Sequence, residues 1–113
     1  MAGFQVSLAE DGDQALRCIA EDPPDLVLCD ILMPNLDGYE TLAAIRSSPD
    51  HCDLPVLIIS AKGEVTAVQR ALEAGANGYF VKPFELRDLL TEIQRQLRAR
   101  GSAHENDQDL NRA

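Results

Sequence analysis

The sequence predicts an α/β fold, a doubly wound parallel sheet built from four βα units, on three observations. Four apolar segments of strand length recur along the 113 residues. Each is followed by a stretch with helical periodicity, and strands alternating with helices imply a parallel sheet with helices on both faces. Three of the four apolar segments are continuous rather than alternating, as in strands covered on both sides.

The elements follow in order. The first strand, Phe4 to Ala9, alternates: Phe4, Val6 and Leu8 share one face, Gln5 and Ser7 the other. That suits an edge strand with one face partly wet. Asp13 to Ala20 places Ala15, Leu16 and Ile19 on one helical stripe. The second strand, Leu26 to Cys29, ends abruptly in Asp30, and a turn signal, Asp37-Gly38, follows. The next helix, Tyr39 to Arg46, offers Tyr39, Leu42 and Ile45. Pro55 to Ile59 is the third strand. Val65 to Ala74 is the third helix, stopped by Gly75 where a left-handed residue is expected. Gly78 to Val81 is the fourth strand. Glu85 to Arg100 is the clearest helix, with Leu86, Leu89, Leu90, Ile93 and Leu97 on one stripe and Arg95, Arg98 and Arg100 near its C-terminus. Residues 1–100 therefore read as one domain. After Gly101 the polar tail, residues 101–113, is aperiodic and expected to be disordered.

Composition excludes several classes. No run of 18 or more apolar residues is present, so no membrane partner is expected. The N-terminus has neither the basic nor the long apolar region of a secretory leader. The net charge is -9, from 10 basic and 19 acidic residues, which disfavours direct nucleic-acid binding and suits a basic protein surface or a divalent cation. Cys18, Cys29 and Cys52 form no C-x-x-C pair, and an odd count argues against a disulfide framework or a zinc site. The compartment reads as reducing, hence cytoplasmic.

In open α/β sheets ligands sit at the carboxyl ends of the strands. There this chain places Asp30, Ser60 and Lys82. A carboxylate can attack phosphorus to give an acyl phosphate. A hydroxyl and an ammonium suit the charged phosphoryl oxygens, and a divalent cation held by Asp30 would complete the neutralisation. His51 and His104 fall in a loop and in the tail, away from any acyl-transfer pair. Each residue also has an ordinary alternative. Asp30 could be a cap or loop residue, Ser60 a turn residue, Lys82 a surface lysine. Their convergence on one rim favours the functional reading.

The string Asp30-x-x-Met33-Pro34-x-x-Asp37-Gly38 closely resembles the phosphoacceptor motif of the receiver domains of bacterial two-component response regulators. Ser60-Ala61 resembles the family's Thr/Ser-Ala switch, GANGYFVKPF its segment with a switch aromatic and a lysine before a cis proline, and AEDGDQAL the start of its second helix. The resemblance runs from about Phe4 to Arg100 and implies a flavodoxin-like sheet. It implies that Asp30 accepts a phosphoryl group from a histidine kinase or phosphotransfer protein, with no catalysis beyond transfer to its own Asp30. Ser60 would swing to the phosphoryl oxygen, Lys82 would pair with phosphoryl and with Asp30, and Tyr79 would follow Ser60 inward. The Leu32 carbonyl and Asp30 would ligate Mg²⁺, Ala61 would leave access to Asp30, and Pro83 would follow a cis peptide that aims Lys82. As a plain reading, Tyr79 is a half-buried packing aromatic.

The chain departs from that family in one respect. The family has five strands, and an acidic pair after the first holds the metal. "MAGFQVSLAEDG" aligns with the second strand, so the first βα unit has no counterpart. Either strand Phe4–Ala9 pairs directly with Leu26–Cys29, or another chain fills the gap, as in a homodimer or swapped oligomer. Mg²⁺ binding and phosphorylation would be weakened unless Glu10 and Asp11 substitute, and Asp11 also reads as a helix cap. Two functions compete: a phosphorylation-controlled receiver, and a phosphorylation-independent interaction module or inert fragment of the same shape. A phosphoaspartate hydrolase would need a second acid where Leu32 stands.

Overall fold

The computed structural model describes residues 4–32 and 37–112, with side chains as far as residue 99. Met33 and Pro34 of the motif lie outside the described residues. Among the described residues four strands and four helices alternate: β1 Val6–Ala9, α1 Gly12–Glu21, β2 Leu26–Asp30, α2 Gly38–Ser47, β3 Val56–Ser60, α3 Val65–Glu73, β4 Gly78–Val81 and α4 Leu86–Arg112. The strands form one parallel sheet in the order β1-β2-β3-β4.

Of the two arrangements open to the first strand, the chain adopts direct pairing. β1 lies beside β2 in the register Val6↔Leu26 through Ala9↔Cys29. The pairing begins before the strand proper: the Asp25 N–H donates to the Gln5 carbonyl at 2.8 Å, and the Gln5 N–H donates to Asp25 Oδ2 at 2.8 Å.

Helices cover the two faces unequally. On one face α1, α2 and α3 set Ile19, Leu42, Ile45 and Ala71 against Ala9, Val27, Cys29, Val56 and Ile58. On the other, α4 alone sets Leu89, Ile93 and Leu97 against Leu26 and Leu57. Each fully buried Leu or Ile stabilises by roughly 1.5–3 kcal/mol, so these contacts hold the sheet between its layers. The cluster under α4 reaches β1 only at Val6, which is partly buried, while Phe4 and Leu8 are 45% and 54% exposed. The partly wet face of this edge strand is thus its apolar one.

Helix ends follow local chemistry. Asp11 caps α1, accepting from the Gln14 N–H at 3.2 Å. Asp37 and Glu40 form a capping box on α2, which makes Asp37-Gly38 a helix start rather than a free turn. Gly75 follows α3 at φ 108°, the left-handed conformation expected of it. The backbone of α4 continues to Arg112, past Gly101 where periodicity alone ends it. A glycine inside a helix costs only about 1 kcal/mol, so Gly101 is a weak stop.

Candidate functional site

Asp30 is the last residue of β2 and Lys82 follows β4. The Lys82 ammonium reaches across the end of β3, and Nζ lies 2.6 Å from Asp30 Oδ2. The other carboxylate oxygen, Oδ1, accepts from the Leu32 N–H at 3.1 Å. The carboxylate is thus oriented from both sides while its side chain keeps 24% exposure. The Lys82–Pro83 peptide is cis.

A recess of about 260 Å³ opens beside this pair, lined by Leu8, Ala9, Glu10, Asp30, Leu32, Ile59 and Lys82. Glu10 therefore joins Asp30 and Lys82. Asp11 does not line the recess; its side chain is engaged in capping α1.

Ser60 ends β3 and is fully buried. Its backbone carbonyl accepts from the Lys82 N–H at 2.8 Å, which ties it to the base of the lysine. Its Oγ accepts from the Lys62 N–H at 3.1 Å, closing a small turn at the strand end. The hydroxyl lies at the correct strand end but is not among the residues lining the recess. The Tyr79 hydroxyl donates to the Lys62 carbonyl at 2.6 Å, so Ser60 and Tyr79 both bond to Lys62. Tyr79 is half-buried beside the core.

Three features of the site's support were not read from the sequence. A Cβ on Gly38 would meet the Asp30 carbonyl oxygen and Ile31 Cα, each at 2.7 Å. The Gly38 N–H donates to the Ile31 carbonyl at 2.8 Å, so α2 starts against the backbone that carries Asp30. Arg70 stacks over the Tyr39 ring at 3.8 Å, and the Tyr39 hydroxyl donates to the Ala67 carbonyl at 3.2 Å. Arg46 donates to the carbonyls of Gly75, Cys52 and Leu54 and to Asn77 Oδ1, joining α2 to the loops around β3. Glycine beside Asp37 hinted at the first feature. The other two have no signal in local sequence.

Beneath the site, Cys29 is chemically quiet. Burial pushes its thiol up to about 12, and the charges of Asp30 and Asp37 add to that shift.

The donor set can be weighed for a divalent cation. Asp30 and Glu10 share one recess with Leu32, and Mg²⁺ is usually held by one or two carboxylates together with waters and phosphate. The set fits that minimum. Among the described residues no group of three or more His, Cys, Asp or Glu side chains gathers to hold a metal.

The arrangement is an oriented carboxylate beside the Lys82 ammonium. The profile of the response regulator receiver domain matches residues 1–94. The response regulator MprA of Mycolicibacterium vanbaalenii is 45% identical over 96 residues, 85% of this chain and 41% of that protein. The transcriptional regulatory protein PrrA of Mycobacterium tuberculosis is 43% identical over 102 residues, 90% of this chain and 43% of that protein. The chain thus spans about two fifths of the length of the curated relatives it matches. Among solved structures, the receiver domain of the sensor histidine kinase PA1611 of Pseudomonas aeruginosa, with a magnesium ion in its active-site cleft, superposes with a TM-score of 0.76. It is 26% identical and is matched over 85% of this chain and 98% of that one. The sheet, with its four parallel strands, is the flavodoxin-like α/β fold. A profile matching most of the chain, relatives above two fifths identity and a shared fold lead to one conclusion: the chain belongs to the response regulator receiver domain family.

Proposed function

We propose that this domain is a phosphorylation-controlled receiver whose phosphoacceptor is Asp30. The observation that carries the reading is the pair Asp30 and Lys82, 2.6 Å apart at the mouth of an open recess. One Asp30 oxygen attacks the phosphorus of a phosphohistidine on a histidine kinase or phosphotransfer protein. The O–P bond forms as the P–N bond breaks, and the histidine leaves with the bonding pair and takes up a proton. The product is an acyl phosphate on Asp30. Lys82 moves from the free carboxylate to the phosphoryl oxygens, and the Leu32 N–H holds the remaining aspartyl oxygen. Ser60 Oγ turns from the Lys62 N–H to a phosphoryl oxygen, which breaks its present bond of 3.1 Å. That change reaches Tyr79 through Lys62, whose carbonyl accepts the Tyr79 hydroxyl. The altered surface, where β4 meets α3 and α4, is the output face.

Mg²⁺ is the cation of this reading, by analogy with the Pseudomonas receiver domain. Asp30 and the Leu32 carbonyl would hold it, and it would neutralise charge on the phosphoryl oxygens.

The test is intact-mass spectrometry after incubation with acetyl phosphate and Mg²⁺. One phosphoryl mass in the wild type and none in Asp30→Asn supports the reading. No added mass in a folded protein overturns it. A second reading, a phosphorylation-independent interaction module, draws on the sparse metal donors among the described residues and on the exposed Phe4 and Leu8.

A further inference from the structure

We infer that Glu10 is the second carboxylate of the cation site at Asp30, supplied by β1 because β1 lies directly against β2. The inference rests on the reading of Asp30 as a cation-assisted phosphoacceptor.

The register carries the argument. β1 and β2 run parallel with Ala9 opposite Cys29 as the last pair. The residues that follow that pair are Glu10, just beyond β1, and Asp30, the last residue of β2. Neighbouring strands lie about 4.8 Å apart, and residues paired in register leave the sheet on the same face. Ala9 and Cys29 both face the core under α1 and α2. Past that pair, at the carboxyl ends of the two strands, both Glu10 and Asp30 line one recess with Leu32 and Lys82. Asp11 caps α1 and lies outside the recess, so the ambiguity between the two acids is resolved in favour of Glu10.

The charges give Glu10 a definite effect. Lys82 already neutralises Asp30 at 2.6 Å, whereas the described contacts of Glu10 include no ion pair. A second carboxylate beside Asp30 opposes the approach of an anionic phosphodonor. A divalent cation between the two carboxylates reverses that sign. Glu10 thus couples phosphoryl uptake to cation binding, and it does so from a strand other than the one on which the family's acidic pair resides. Because Glu10 is exposed, its replacement leaves the core intact.

Mn²⁺ serves as a spectroscopic stand-in for Mg²⁺, with free ion counted by electron paramagnetic resonance during titration of the whole chain. Four proteins are compared: wild type, Glu10→Gln, Asp30→Asn, and Glu21→Gln as a control that removes one charge at the far end of α1. The expected result is saturable binding by the wild type, lost in Asp30→Asn and weakened about tenfold or more in Glu10→Gln, with Glu21→Gln near wild type. Equal dissociation constants for Glu10→Gln and Glu21→Gln would overturn the assignment. So would the lack of saturable binding to the folded wild type. Phosphoryl mass measured on the same samples separates the two readings. An Asp30-dependent mass gain with unchanged affinity in Glu10→Gln removes Glu10 and leaves the phosphoacceptor. Glu10-dependent cation binding without any mass gain leaves the cation site and removes the phosphoacceptor.

Discussion

Lys82 Nζ meets Asp30 Oδ2 at 2.6 Å across the end of an intervening strand, so the ion pair joins two elements 52 residues apart in sequence. The Lys82 side chain is 45% exposed, and an ion pair this open contributes at most about 1 kcal/mol to stability. Its value is in chemistry. Lys82→Met is expected to shift the urea midpoint little while slowing phosphoryl uptake from acetyl phosphate by about a hundredfold, the usual scale for losing one charge-stabilising donor. Time-resolved intact-mass measurement checks the rate and urea unfolding checks the stability.

Gly38 shows the opposite balance. A methyl group there would press on the Asp30 carbonyl and on Ile31 Cα at 2.7 Å, and neither is a flexible side-chain end. Gly38→Ala is expected to destabilise the domain by about 1–3 kcal/mol, as overpacking does, and to displace Asp30 as well. Chemical denaturation gives the first quantity. A disproportionate loss of phosphoryl uptake gives the second.

Arg46 is expected to be the most costly surface-proximal residue to truncate. Its guanidinium satisfies the Gly75 carbonyl through two nitrogens at 3.0 and 2.8 Å and the Leu54 carbonyl at 2.7 Å. Arg46→Ala leaves those acceptors without their donor, at about 1–3 kcal/mol. Arg46→Lys is expected to recover little, because one ammonium cannot reproduce the planar fork. Urea midpoints of both variants decide.

Cys29 supplies a pH prediction. Its thiol is raised from the ordinary 9.0 to about 12, with burial the main cause. The native state therefore holds this proton more tightly than the unfolded chain. The resulting stability is fully present below pH 9 and is lost as pH rises from there towards about 12. A Cys29→Ala variant is expected to lose less stability between neutral pH and pH 11 than the wild type does. At neutral pH a thiol reagent is expected to modify the exposed Cys18 and Cys52 quickly and Cys29 only on unfolding.

Much of this architecture was legible because burial leaves a mark on composition. Leu26 to Cys29 and Pro55 to Ile59 read as strands because both of their faces are covered, and the observed strands add only Asp30 and Ser60 and lose Pro55. The placement of Asp30, Ser60 and Lys82 at the strand ends was legible because a parallel sheet delivers all its strand ends to one rim. The wet face of β1 was not legible. Phe4, Val6 and Leu8 alternate as a core face does, yet only Val6 packs partly against the α4 cluster, and Phe4 and Leu8 are exposed. Glu10 was open for a similar reason: its nearness to Asp30 depends on which strand β1 pairs with, a long-range choice with no local signature. Arg46 binding to Gly75 and Arg70 stacking on Tyr39 join residues about 30 positions apart, beyond any periodicity.

The most direct test of the central claim is chemical identification of the phosphorylated residue. The chain is treated with acetyl phosphate and Mg²⁺, reduced with borohydride and sequenced by tandem mass spectrometry. Hydride converts an aspartyl phosphate to homoserine with release of phosphate. Homoserine at position 30 alone is the result this account predicts. Homoserine at another aspartate, or no conversion in a folded and Mg²⁺-supplied protein, would contradict it.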